Sequence, residues 1–229
     1  MIRTFDKYPY PEVTQINLEN KRLYQTPAGD KVPSVTTILS KTKDMTGLDN
    51  WIKAVGKDKA EKIRNEAAFV GTSMHTFLEE HVTEVKREPF VPSPLHTQAK
   101  QMSNVIVKEG LKFISEIWGS EIKLYHSDKY AGTTDLIGLY KGVPHIIDFK
   151  QTNKPKKAEW VDDYYLQLCA YAHAHNDMFD TDIRSGVVLM CSRDLQFQKF
   201  ELNEVKFEKY SYMWWNRVDQ YMSMNGATS

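Results

Sequence analysis

Residues 132–154, GTTDLIGLYKGVPHIIDFKQTNK, read as an apolar hairpin with an aspartate in each arm and a lysine two places after the second. A core accounts for the isoleucines and leucines, but Asp135, Asp148 and Lys150 are residue types that strands and interiors normally exclude. Side chains alternate faces along a strand, so Asp148 and Lys150 share one face. A two-residue turn at Lys141 and Gly142 pairs Tyr140 with Val143, and counting back through Gly138 and His145 sets Asp135 opposite Asp148. A four-residue loop gives the same register; a three-residue loop undoes it. Like charges on directly opposed residues destabilise a hairpin, and a bound cation reverses that sign. Hard oxygen ligands select Mg²⁺, Mn²⁺ or Ca²⁺, and Mg²⁺ characteristically combines one or two carboxylates with waters and phosphate oxygens. Lys150 adds a positive group at the same point. The alternative for a lone D-x-K is a solvated strand face whose charges are incidental.

Two helical pairs and one basic run extend the constellation. His75 and Glu79 stand four apart in GTSMHTFLEEHV and share a helical face, an arrangement that also suits a partly buried histidine beside a surface glutamate. Gln167 and Tyr171 repeat that spacing. Gln167 sits within the stripe of Trp160, Tyr164, Leu168 and Tyr171, where its amide needs a partner, be it backbone, water or a functional group. QTNKPKK places Lys154, Lys156 and Lys157 just after the hairpin, followed by Trp160, Tyr164 and Tyr165. These are groups that hold phosphates and stack on bases, or else a solvated loop.

The elements that must position these residues follow from periodicity. VTQINLENKRLYQT alternates as two short strands around Glu19 and Asn20, with PAGDK as a turn. Pro33 and Ser34 open a short helix, and residues 47–85 are mostly helical with interruptions near Gly56 and Gly71. EPFVPSP at 88–94 breaks that run, and a further helix is expected from about Leu95 to Trp118, with Leu111, Phe113, Ile114 and Ile117 among its apolar positions. EIKLYHS, GTTDLIGLY and PHIIDFK are strands. A helix of about 19 residues spans AEWVDDYYLQLCAYAHAHN, strands follow at SGVVLMCS and FQKFEL, and a closing helix begins at Glu204. The order predicts an α/β domain, a mixed or mostly antiparallel sheet with helices packed on it.

Composition narrows the function. The 229 residues suffice for one domain. The 30 basic and 30 acidic residues cancel, so bulk attraction to nucleic acid or an anionic membrane is excluded and any anionic partner must be held locally. Two cysteines, Cys169 and Cys191, make neither a disulfide framework nor a four-thiolate site, which points to a reducing compartment. Neither a targeting segment nor a membrane span is evident, so a soluble cytoplasmic protein with no membrane partner is expected.

Taken in order, His75, Asp135, Asp148-Phe149-Lys150 and Gln167-x-x-x-Tyr171 resemble the RecB-type nucleases of the PD-(D/E)xK superfamily. PSVTTIL, GTSMH, GTTDLIG, IIDFKQTNKPK and LQLCAYAHA are especially similar to the branch containing mitochondrial genome maintenance exonucleases and related phage exonucleases, over about Pro33 to Met190. The resemblance implies a restriction-endonuclease-like core, a central mixed sheet flanked by helices with an N-terminal helical region. Both ends lie outside the resemblance; with the length and the order of elements, the expectation is one nuclease domain over 1–229: a β lead-in and helical region to about 118, a catalytic core over about 119–203, and a C-terminal helix over 204–229. Asp135, Asp148, the Phe149 carbonyl and His75 would bind Mg²⁺ or Mn²⁺, Lys150 would orient or activate the attacking water, and Gln167 and Tyr171 would support the site and the DNA. Aspartate replaces the more common glutamate of D/E-x-K. The four cysteines of iron–sulfur members are missing, so no cluster is expected, and a phage or bacterial source is favoured. With no net charge, a narrow channel for single-stranded DNA or DNA ends is expected rather than a long duplex groove. A structure-specific endonuclease and a non-catalytic DNA-binding subunit are the competing readings. A helicase or recombination partner stays open.

Overall fold

The computed structural model describes residues 1–18, 21–87 and 92–226. The expected turn at Glu19 and Asn20, and the first four residues of EPFVPSP, lie outside them. The strands are β1 (Ile2–Arg3), β2 (Thr14–Leu18), β3 (Lys21–Gln25), β4 (Lys31–Pro33), β5 (Ile114–His126), β6 (Tyr130–Tyr140), β7 (Val143–Thr152), β8 (Gly186–Ser192) and β9 (Phe197–Leu202). The α-helices are α1 (Val35–Lys41), α2 (Thr46–Val55), α3 (Lys57–Thr83), α4 (Pro94–Glu109), α5 (Asp162–Phe179) and α6 (Glu204–Gly226).

A central six-stranded sheet runs β1-β5-β6-β7-β8-β9, and a three-stranded sheet runs β2-β3-β4. The large sheet is mixed: β1 with β5 and β7 with β8 are parallel, the remaining pairs antiparallel. Helices cover both faces. Val187, Leu189 and Cys191 of β8 join a core with Met74 and Leu78 of α3 and Met102 and Ile106 of α4. Val188 and Met190 point the other way, into a core with Leu168 of α5, Trp214 of α6 and Ile38 of α1. A strand buried on both faces reads as an unbroken apolar run, as GVVLMCS does.

Local chemistry explains several boundaries. The Ser34 hydroxyl caps α1 by accepting from Thr37 N at 2.9 Å, and Ser93 caps α4 ahead of Pro94 by accepting from His96 N at 3.1 Å. Gly56, at φ 86°, separates α2 from α3 as expected. No break occurs at Gly71, where α3 continues; a Cβ there would lie 3.5 Å from Gln151 Cγ, so this residue marks close helix-to-strand packing instead.

The helix expected from Leu95 to Trp118 is corrected. It ends at Glu109, and Ile114–Trp118 open β5. The β5–β6 register shifts between Ile114 and Glu116 and again between Ile117 and Gly119. Such bulges insert residues into the two-residue alternation, so buried Ile114 and Ile117 acquire a spacing of three that mimics a helical stripe. Pairing with β1 fixes this stretch as strand, and no feature of residues 1–4 had suggested one.

Candidate active site

The β6–β7 turn is made by Lys141 (φ 51°) and Gly142 (φ 79°), both left-handed, as a two-residue hairpin loop requires. The register follows: Tyr140↔Val143, Gly138↔His145 and Leu136↔Ile147. Asp135 and Asp148 are the next residue in each strand. By alternation they lie on the face of Ile137 and Ile146, against α5, together with Lys150.

Asp135 and Asp148 are both buried, and their partners differ. Asp135 Oδ2 accepts from Phe149 N at 2.6 Å, which turns Oδ1 toward His75 Nδ1 at 3.4 Å. His75 comes from α3, on the opposite face, and its Nε2 donates to the Phe149 carbonyl at 3.0 Å. Lys150 Nζ donates to Asp148 Oδ1 at 2.7 Å; it lies equally near Oδ2, but without hydrogen-bond geometry, and Oδ2 has no hydrogen-bond partner. On α5, half-buried Gln167 donates from Nε2 to the Tyr171 hydroxyl at 3.2 Å, which gives its amide a partner. Gly132 of β6 admits that ring: a Cβ there would stand 2.8 Å from Tyr171 Cε1.

Glu121 was absent from the sequence reading. Its carboxylate lies 3.9 Å from His75 Nδ1, and His75, Glu121 and Asp135 each offer a donor atom within 4.8 Å of the others. Glu121 falls between the pairs Ser120↔Leu136 and Ile122↔Thr134, so its strand neighbour is Asp135, and its φ of 53° is strained for a side-chain-bearing residue. Such strain collects at functional positions. No spacing rule would have found it, because the sequence shows one more glutamate in a strand.

These groups form an ionic set that is short of positive charge. Two carboxylates about 4 Å apart repel by about 4 kcal/mol at an effective dielectric near 20. Burial opposes the charged form of His75, but Asp135 and Glu121 outweigh it and raise the imidazole to about 10. Burial and the Asp135 charge lift Asp148 to about 6, with Lys150 pulling the other way. Burial also opposes charge on Asp135, yet His75, Lys150 and the Phe149 amide hold its carboxyl below the usual range. Desolvation opposes charge on half-buried Lys150, but Asp148 and Asp135 outweigh it and raise its ammonium above the usual lysine range. The donor chemistry therefore fits a hard divalent cation: several carboxylate oxygens, one of them buried without a hydrogen bond, plus a carbonyl and an imidazole.

Comparison with known proteins bears on the fold and the activity class. No family model matches the chain. It is 24% identical over 204 residues to mitochondrial genome maintenance exonuclease 1 of Mus musculus, covering 84% of this chain and 59% of that protein. To the Homo sapiens protein of the same name it is 25% identical over 181 residues, covering 71% and 50%. The chain thus spans about half the length of these curated relatives. A crystal structure of a candidate exonuclease from Eubacterium rectale superposes with a TM-score of 0.51 at 14% identity, covering 72% of this chain and 69% of that one, and shows the fold. The chain is similar to PD-(D/E)xK-type nucleases.

Of the remaining expected residues, Tyr164 connects this cluster to the basic loop. Tyr164 lies 5.4 Å from Lys150 Nζ and 5.9 Å from Lys156 Nζ, between the half-buried lysine and the basic loop. Lys157 lies 5.3 Å from the ring of Trp160, which is 57% exposed, and pairs with Glu159 at 3.8 Å. The Lys154 carbonyl accepts from Thr152 Oγ1, tying the loop to the end of β7. Tyr165 packs against Tyr210 in the core and does not face the cleft. Glu79 pairs with Arg87 at 2.7 Å instead of joining the cluster. A cavity of about 230 Å³ is lined by Asp135, Lys150, Gln167 and Tyr171, and one of about 510 Å³ by Gly71, Thr72 and Glu79; His75 and Glu121 line both.

Proposed function

We propose that this protein, over residues 1–229 as one domain, is a divalent-metal-dependent deoxyribonuclease that hydrolyses phosphodiester bonds of single-stranded DNA from an end. The observation that carries the reading is the convergence of His75, Glu121 and Asp135 beside the Asp148–Lys150 pair. His75, Asp135, Asp148 and the Phe149 carbonyl, joined by Glu121, would hold Mg²⁺ or Mn²⁺. Such an ion, when bound, neutralises charge on the phosphodiester and lowers the pKa of water.

The chain's own groups set the rest. Phe149 N–H fixes Asp135 Oδ2 and so aims Oδ1 into the cluster. Lys150, held on Asp148 Oδ1, would orient or activate the attacking water. Gln167 and Tyr171 wall the cavity, and Lys154, Lys156, Lys157, Tyr164 and Trp160 would supply charge and aromatic faces to a bound strand. Two cavities that meet at His75 and Glu121 suit a strand passing the cluster. Both cysteines are free and buried, which fits a reducing compartment such as the cytoplasm. Among the described residues no helix is long and apolar enough to cross a membrane.

The test is a time course on end-labelled linear single strands and a covalently closed circle of the same sequence, with Mg²⁺ or Mn²⁺. Loss of the linear strand with survival of the circle is expected. Equal loss of the circle means endonuclease action, and survival of both favours a non-catalytic DNA-binding subunit.

A further inference from the structure

The small sheet closes one side of the 230 Å³ cavity and brings a cation to it. Arg22 and Tyr24 alternate to the same face of β3. Tyr24 is buried against Val13, Val32 and Ala131, and its hydroxyl meets Thr133 Oγ1 of β6 at 3.3 Å, so this face is pinned onto the catalytic sheet. The Arg22 backbone carbonyl accepts from Ser34 N at 3.1 Å, which locks β3 to the start of α1. Arg22 therefore lines the same cavity as Asp135 and Lys150, alongside Thr36 and Thr133. The acidic groups there are already engaged: Asp135 with His75 and Phe149, Glu121 with His75. Among the described residues no acidic side chain pairs with the Arg22 guanidinium.

We infer that Arg22, with Thr36 and Thr133, binds the phosphate of a nucleic-acid strand adjacent to the one held at the carboxylate cluster. A planar guanidinium presents paired donors that match phosphate oxygens, and threonine hydroxyls complete such a contact. The inference rests on the nuclease reading above. It adds a strand-positioning group from a sheet that the motifs do not include.

The experiment measures binding of a labelled oligothymidylate of about ten nucleotides by anisotropy across a salt series, in EDTA so that cleavage does not intervene. Arg22→Gln is expected to weaken binding about tenfold and to reduce the magnitude of the log-affinity against log-salt slope by about 0.7, the share of one phosphate contact on a single strand. Arg22→Lys should restore the slope, and Lys53→Gln, on exposed α2 away from the cavity, should leave affinity and slope unchanged. A scan of single methylphosphonate linkages should find one position whose neutralisation weakens the wild type but not Arg22→Gln. Wild-type affinity and slope in Arg22→Gln, or an equal loss in Lys53→Gln, would overturn the subsite while leaving the nuclease reading intact. Failure of the wild type to bind the strand would overturn both.

Discussion

At the scale of single residues, the site separates groups that hold charge from groups that hold position. Asp148 and Lys150 pair at 2.7 Å, and on the proposed reading this pair acts on the reacting phosphate more than on the ground-state strand. Asp148→Ala and Lys150→Ala are each expected to lower cleavage at least about a hundredfold, the scale of a preorganised electrostatic contact, while strand affinity changes only a few-fold. Turnover near wild type in either variant would remove that residue from the catalytic set. Glu121 and His75 are expected to act on the cation. Glu121→Gln and His75→Ala should weaken Mn²⁺ binding by about tenfold or more in calorimetry, with matching increases in the Mn²⁺ needed for half activity. An unchanged titration in Glu121→Gln would leave its strained backbone unexplained by metal binding.

At the scale of elements, the hairpin is the device that sets the site. A slip of one residue would carry Asp135 to the opposite face of the sheet, so register and chemistry are one constraint. The turn enforces that register through two left-handed residues. Gly142→Ala should cost about 1 kcal/mol, measured as a lowered urea midpoint, because alanine is strained at φ 79°. Lys141→Asn should raise the midpoint by a few tenths of a kcal/mol, asparagine tolerating φ 51° better than lysine. A midpoint that ignores both changes would mean another turn geometry in solution.

At the scale of the whole molecule, the helix layers bury histidines that serve the fold. Burial pushes His173 and His175 down to about 4. His175 lies between Thr181 Oγ1 at 2.8 Å and the Tyr10 hydroxyl at 3.3 Å, and His173 meets Ser211 Oγ at 2.9 Å. The unfolded chain binds protons on these rings near pH 6.5 and the folded chain does not, so their contribution is complete above about pH 6.5 and declines as pH falls toward 4. Asp148, raised to about 6, titrates in the opposite sense over part of that window, so the informative quantity is a difference between variants. Between pH 6.5 and 4.5 the stability of His175→Gln should fall less steeply than the wild type, by about 1 kcal/mol per pH unit. Parallel slopes would show that His175 is protonated in the folded protein.

The local chemistry of the chain determined the hairpin, its turn and register, the paired aspartates, the Gln167–Tyr171 couple and the order of most elements, because each depends on neighbours a few residues away. Ser34, Gly56 and Lys141–Gly142 act through local backbone geometry, and period-two and period-3.6 patterns mark faces that one element presents by itself. What depended on distant pairing was out of reach. Ile114 and Ile117 carry helical spacing but become strand through β1 and two bulges. Glu121 joins His75 and Asp135 only because β5 lies beside β6 under α3, and Arg22 reaches the same cavity only because β3 docks on β6. Strand pairing, helix docking and the shared cavity join residues tens of positions apart, and no spacing within a segment encodes that proximity.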